Sequence, residues 1–295
     1  MRAKSVVDAT FHSTWDVVDG MRVHGWVNGI ADELASASGS APLHSSSSPR
    51  DAIARRRHVV FVHGLGVSTT YMHPAMCALA RQAPDVAVSA LDLPGFGKSR
   101  LRGRVLSLRA LGDALTGWLE VRGIVSPILV GHSHGCQVVV ECLASRPALA
   151  AALVLNAPTM MERHRTVLTQ LVRVALDVPR EPLALVPHVV RDYVKAGLRR
   201  IYTTLVDALR DRIEDKLPDV SVPVWIVCGD RDPVSTVEWG ERLARLTGSR
   251  VDGGVDVVLQ VIRDGAHAMP FDEPEELSAH ICALSKLLDS ERAGL

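Results

Sequence analysis

The sequence predicts an α/β fold: a mostly parallel central sheet flanked by helices on both faces, interrupted by a helical insertion. Three observations carry this reading. Short β-branched runs recur, namely HVVFV, VAVSALD, PILVG, AALVLN, VPVWIVCG and VDVVLQVI. They are apolar almost throughout rather than alternating, which is how a strand reads when both of its faces are covered. Between the runs the period changes to that of a helix: Leu108, Leu111, Leu115 and Leu119 form one stripe, and Val138 to Arg146 reads as another helix. From about Met160 to Leu217, finally, no strand-like run appears, while apolar residues recur at helical spacing.

The elements follow in order. TWDVVDGMRVHGWV reads as two short strands around an Asp19-Gly20 turn, a strong hairpin signal. A Ser- and Ala-rich stretch from about Ile30 to Arg57 is poor in core-forming residues and reads as an insertion or linker. The alternation of runs and helices begins at His58. Pro179, Pro182 and Pro187 cut the strandless interval into several helices. Residues 1–159 and 218–295 are therefore expected to form one core, with 160–217 lying over the sheet as a helical cap.

Composition narrows the function. The 295 residues are 47% hydrophobic and 22% charged, the balance of an ordinary globular chain. Basic and acidic residues number 33 each, so no net field argues for nucleic acid or an anionic surface as the main partner, and a small-molecule substrate is the default. Cys77, Cys136, Cys142, Cys228 and Cys282 lack metal-ligand spacing and read as buried free thiols in a reducing compartment. The N-terminus MRAKSVVDATFHSTWD is broken by charge before a signal-peptide core could form, and no window is apolar enough for a membrane span. The expectation is a soluble, cytoplasmic protein.

The chemistry starts at Gly131-His132-Ser133-His134-Gly135, directly after PILVG and before a helix. A serine hydroxyl is a poor nucleophile until an imidazole takes its proton and a carboxylate fixes that imidazole's tautomer. A strand-turn-helix context with glycines on either side is what presents such a serine on a sharp turn. HVVFV ends in His63-Gly64-Leu65-Gly66, whose Leu65 amide, with that of His134, would form an oxyanion hole. Losing one such donor typically costs about 2.7–4 kcal/mol in the transition state. His63 itself reads as structural. After VPVWIVCG comes Gly229-Asp230-Arg231-Asp232-Pro233-Val234, where Asp232 is the preferred acid and Asp230 the rival. After VDVVLQVI, the loop Asp264-Gly265-Ala266-His267-Ala268-Met269-Pro270 supplies a histidine in the order Ser, Asp, His.

Two other clusters read as structural. Adjacent residues on a tight turn point apart, so His132 and His134 do not suggest a metal site, nor is a cofactor needed. His73 reads as a helix-start residue without a task. The basic residues between Arg163 and Arg200 are expected to form a solvated helix face with apolar residues inward; the second reading is recognition of an anionic group.

With these motifs in register, the chain resembles the α/β-hydrolase superfamily from about Thr14 to Leu288, at the HG turn, Asp92-Leu93-Pro94-Gly95-Phe96-Gly97-Lys98-Ser99, GHSHG, GDRDPV and GAHAMPFDEPEEL. The resemblance implies Ser133 as nucleophile, His267 as general base and then acid, Asp232 as its orienting carboxylate and the segment after NAPT as a cap. Ser133 argues against the epoxide hydrolases and haloalkane dehalogenases, which carry aspartate there, and the dienelactone hydrolases, which carry cysteine. The Ser-rich stretch and Arg250-Val251-Asp252-Gly253-Gly254 are longer than the usual connections. The expected activity is hydrolysis of a carboxylic ester or thioester of a small, largely apolar substrate. Carbon–carbon bond hydrolysis, other cofactor-free chemistry on the same residues, and a ligand-sensing protein with a vestigial triad are the alternatives.

Overall fold

The apolar runs find their backbone partners in a single sheet. The computed structural model describes residues 11–31, 57–247 and 257–293. Its strands are β1 (Phe11–Val18), β2 (Met21–Asn28), β3 (His58–Val62), β4 (Ala87–Leu91), β5 (Ile128–His132), β6 (Ala152–Asn156), β7 (Val224–Gly229) and β8 (Val258–Ile262). They are ordered β1-β2-β4-β3-β5-β6-β7-β8. β2 is antiparallel to β1 and β4, and the other neighbours run parallel. Asp19 and Gly20 have φ of 47° and 76°, the doubly positive turn that matches the twist of a hairpin.

The longer helices are α1 (His73–Gln82), α2 (Leu108–Val121), α3 (His134–Ser145), α4 (Val167–Asp177), α5 (Val186–Ala196), α6 (Leu198–Arg210), α7 (Val237–Leu246) and α8 (Pro274–Ala293). Successive strand residues face opposite layers. Val60, Val62, Leu129, Leu153 and Ile226 join one core with α2, α3 and α7 through Trp118, Val138 and Trp239. Val59, Phe61, Val130, Val154 and Val227 join the other with α1 and α8 through Met76, Leu79 and Ile281. This is why the runs from β3 to β7 are apolar without alternation: both faces of these strands are covered. All five cysteines are free and buried.

Between β6 and β7 the chain is helical. α4 ends at Asp177, Pro179 and Pro187 sit in the first turns of the helices that follow, and Pro182 caps another turn. Arg163, Arg180, Arg191, Lys195 and Arg199 are exposed as expected, but the expected inward direction of the apolar faces is corrected here. α4 buries Gln170 and Asp177, α5 buries Asp192, and α6 buries Thr204 and Ala208. Leu168, Leu183, Val194 and Leu198 are exposed instead. The inward side is mixed: Leu185 joins the second apolar core, and polar contacts hold the rest of the insertion to the sheet domain. Arg173 donates to the Pro233 carbonyl, Arg200 to the carbonyls of Leu101 and Arg104, and Ser68 to the Asp192 carboxylate. Arg165 pairs with Glu214.

Residues 32–56 of the Ser-rich stretch, the passage from 248 to 256 that contains Arg250 to Gly254, and the first ten residues lie outside the described residues. Among the described residues no helix is long and apolar enough to cross a membrane.

Candidate active site

The loops after β3, β5, β7 and β8 leave the same edge of the sheet, the place where α/β folds assemble their sites. Ser133 stands between the end of β5 and the start of α3, with φ 56° and ψ −122°. A non-glycine residue held there carries of order 1–3 kcal/mol of strain, which the surroundings must enforce. They do so by close approach. A Cβ at Gly131 would lie 2.6 Å from the Gly135 carbonyl, and one at Gly135 would run into the Val62 carbonyl. The Ser133 amide donates to Asn156 O at 2.9 Å.

The three residues singled out in the sequence meet. Ser133 Oγ and His267 Nε2 share a hydrogen bond at 3.0 Å, and His267 Nδ1 donates to Asp232 Oδ2 at 2.8 Å. Asp232 is buried, and its other oxygen accepts from the amides of Val234 (2.7 Å) and Ser235 (2.9 Å), which fix the carboxylate plane. Asp230, the rival acid, is exposed and uses its amide to bond Ile262 O at 3.1 Å.

Burial pulls the His267 imidazole toward its neutral form, but the Asp232 carboxylate and its hydrogen bond, helped by Asp177 and Glu181, outweigh burial and raise it to about 9. Asp177 and Glu181 belong to the helical insertion and were not recognised from sequence. Asp177 Oδ1 accepts from the His267 amide at 3.3 Å, and Glu181 Oε1 accepts from the Ala268 amide at 2.7 Å. Burial, and then repulsion between the two carboxyls, raises Glu181 to about 8; Asp177 is raised by burial too. They are two of the eight acidic residues between 160 and 217, and no local pattern singles them out.

The turn after β3 lies beside Ser133, with Gly64, Leu65 and His134 lining the same cavity. As the first residue of α3, His134 has an amide without a partner inside the helix. His63 is structural as expected: its Nδ1 donates to Gly64 O (2.8 Å) and its Nε2 accepts from the Leu93 amide (2.9 Å). Burial holds it below the usual histidine range.

His132 and His134 do point apart. His134 Nδ1 bonds Gln137 Oε1 at 3.0 Å. His132 completes a relay that sequence reasoning missed. The Gly64 amide donates to Tyr71 Oη (3.1 Å), Tyr71 donates to His132 Nδ1, and His132 Nε2 donates to the His267 carbonyl (2.8 Å). Burial lowers His132 to about 3, so it stays neutral with its proton on Nε2. His73 packs edge-on against Phe11 and Trp26, away from the cavity. In the DLPGFGKS segment, Asp92 accepts from His24, Thr69 and the Lys98 amide, tying that loop to β2 and to the turn after β3. Among the described residues no cluster of three or more His, Cys, Asp or Glu side chains could hold a metal ion.

The cavity over Ser133 and His267 measures about 460 Å³. Its walls are mostly apolar, with Val174, Val178, Leu185, Val189 and Leu205 supplied by the helical insertion. This is the size and lining of a site for a small apolar ligand.

The sequence profile of the alpha/beta hydrolase family matches residues 59–280. The chain belongs to this family. It is 24% identical over 258 residues to an uncharacterized hydrolase, YugF, of Bacillus subtilis (strain 168), covering 78% of this chain and 90% of that one. Two solved structures share the fold. One is an esterase, EaEST, of Exiguobacterium antarcticum, with TM-score 0.70, 16% identity and coverage of 92% of this chain and 99% of that one. The other is a thermophilic esterase of Thermogutta terrifontis, with TM-score 0.67, 18% identity and coverage of 94% and 99%. Family and relative place this α/β hydrolase among hydrolytic enzymes.

Proposed function

We propose that this α/β hydrolase cleaves a carboxylic ester or thioester of a small, largely apolar substrate through an acyl-enzyme on Ser133. The observation that carries the reading is the continuous hydrogen-bonded line from Ser133 Oγ through His267 to Asp232, at 3.0 and 2.8 Å. The apolar cavity above it and the esterases that share the fold support the choice of substrate class.

In this mechanism Ser133 Oγ attacks the acyl carbon as its proton passes to His267 Nε2. Asp232 stabilises the imidazolium and keeps the ring oriented. The carbonyl oxygen becomes an oxyanion and accepts from the amides of Leu65 and His134, which need no reorganisation because the turn and the helix start already hold them. Collapse breaks the bond to the leaving alcohol or thiol, which takes the proton from Nε2. Water then attacks the acyl-enzyme, gives its proton to Nε2, and Ser133 leaves with that proton while the acid departs. Residues 160–217 act as the cap that shapes the acyl site.

Esters of graded acyl length test the reading. Sustained multiple turnover, with kcat/KM rising with chain length until the cavity is filled, is expected; a single slow release per chain would reject it in favour of a binding protein.

A further inference from the structure

Much of the apolar surface of the helical insertion faces outward. Twelve of the eighteen exposed large apolar side chains among the described residues fall between Leu168 and Tyr202. The most exposed are Leu183 at 87%, Leu198 at 82% and Val194 at 78%. Val186, Val190 and Val194 form one stripe at intervals of four on α5, and Leu198 and Tyr202 begin a second on α6. α6 packs against both α4 and α5, so the stripes belong to one surface. Apolar patches of this extent on a soluble chain mark an interaction site.

Charge distinguishes what that site would receive. Arg180, in the turn after α4, and Arg191, Lys195 and Arg199, on α5 and α6, are exposed, Arg191 while also paired with the buried Asp192. The acids of the stretch are withdrawn: Asp177 and Asp192 are buried and Glu181 is half-buried against the His267 loop. Although the whole chain is neutral, the exposed charges of this face between Leu168 and Tyr202 are all positive. A two-fold contact with a second copy would set cation against cation with no exposed acid from the stretch to pair with it. The surface is also continuous with the cavity, because Leu171, Val174, Val178, Val186 and Val190 are exposed and line it at once.

We propose that the outer face of α4, α5 and α6 docks on an anionic phospholipid surface, seating its valines and leucines among the acyl chains and its four cations at the headgroups. The mouth of the cavity then opens onto the lipid. Helices with an apolar face fringed by Lys and Arg bind interfaces in this way, through apolar burial and attraction to anionic headgroups together. The docking does not depend on catalysis.

Co-sedimentation of the full-length Ser133→Ala chain with vesicles tests it separately from any turnover. Binding to phosphatidylglycerol–phosphatidylcholine vesicles, weakening with salt and absent on phosphatidylcholine alone, is expected. The triple variants Leu183→Ser, Val194→Ser, Leu198→Ser and Arg180→Glu, Lys195→Glu, Arg199→Glu should each lose at least about tenfold in affinity. Unchanged thermal unfolding would show that these variants are folded. No sedimentation with phosphatidylglycerol, or equal sedimentation of the variants, would overturn the proposal. So would a lipid-free dimer that the serine variant dissolves, since a second copy would then own the surface.

Discussion

His132 Nε2 donates a 2.8 Å hydrogen bond to the backbone carbonyl of His267, so the residue before the candidate nucleophile holds the loop that carries the candidate base. The ring is kept neutral by burial and oriented by Tyr71 from the other side. The separation between Ser133 Oγ and His267 Nε2 is thereby set from both ends.

Removing that bond should misplace His267 without touching substrate. His132→Phe keeps an aromatic ring but leaves the His267 carbonyl and Tyr71 hydroxyl unpaired. kcat should fall by about 10–100-fold with KM nearly unchanged, and stability should fall by about 1–3 kcal/mol. Steady-state kinetics and denaturant unfolding read the two effects, and Tyr71→Phe should give the same pattern more weakly. A rise in KM at constant kcat would contradict a positioning role.

The choice between the two aspartates is also open to direct comparison. Asp232→Asn keeps the shape but ends the charge facing His267, and should cut kcat by about 10³–10⁴-fold. Asp230→Asn alters an exposed side chain away from that bond and should stay within about twofold. The opposite ranking of the two rates would overturn the assignment.

The pH dependence has a definite sign. His267 must be neutral to take the Ser133 proton, and its neighbours raise it to about 9, so kcat/KM should climb with pH toward that value. Glu181→Gln retains an acceptor for the Ala268 amide while removing a negative charge that favours imidazolium. The climb should therefore move to lower pH, by about one unit. Stability runs the other way. His267 and Glu181 both hold protons more tightly folded than unfolded, so the unfolding midpoint should fall as pH rises from about 6.5 to about 9, above the range in which the buried neutral His63 and His132 add stability with rising pH. An unfolding midpoint that rises over this range would contradict the assignment of these two groups.

Strain at Ser133 depends on the glycines that flank it. Gly135→Ala would drive a methyl group into the Val62 carbonyl, and either the strand or the turn must move. A loss of about 1–3 kcal/mol or more is expected, together with loss of activity, read by unfolding and ester assay. Wild-type stability and rate would contradict the close approach.

The sheet was legible because burial on both faces writes itself into each strand as an uninterrupted apolar run, from Val59 to Val227. Ser133, Asp232 and His267 were legible because each sits at a strand end in a short motif with a mechanical reason for its glycines or its order. The Tyr71–His132–His267 relay was not, since it joins residues 61 and 135 positions apart by side-chain geometry that no local pattern encodes. The helical insertion was readable in its period and its proline breaks but not in its orientation. Helical spacing places Leu168 and Leu176 on one face of α4; it does not say that Arg173, Arg200 and Asp192 would take the inward contacts and leave that face outside.

The central claim is that Ser133 is a nucleophile activated by His267. Incubation with a fluorophosphonate, followed by mass spectrometry of the labelled peptide, tests it most directly. One covalent adduct per chain on Ser133 is predicted, with labelling abolished in Ser133→Ala and slowed by orders of magnitude in His267→Ala. Full labelling of Ser133→Ala, or an adduct on another residue, would contradict it.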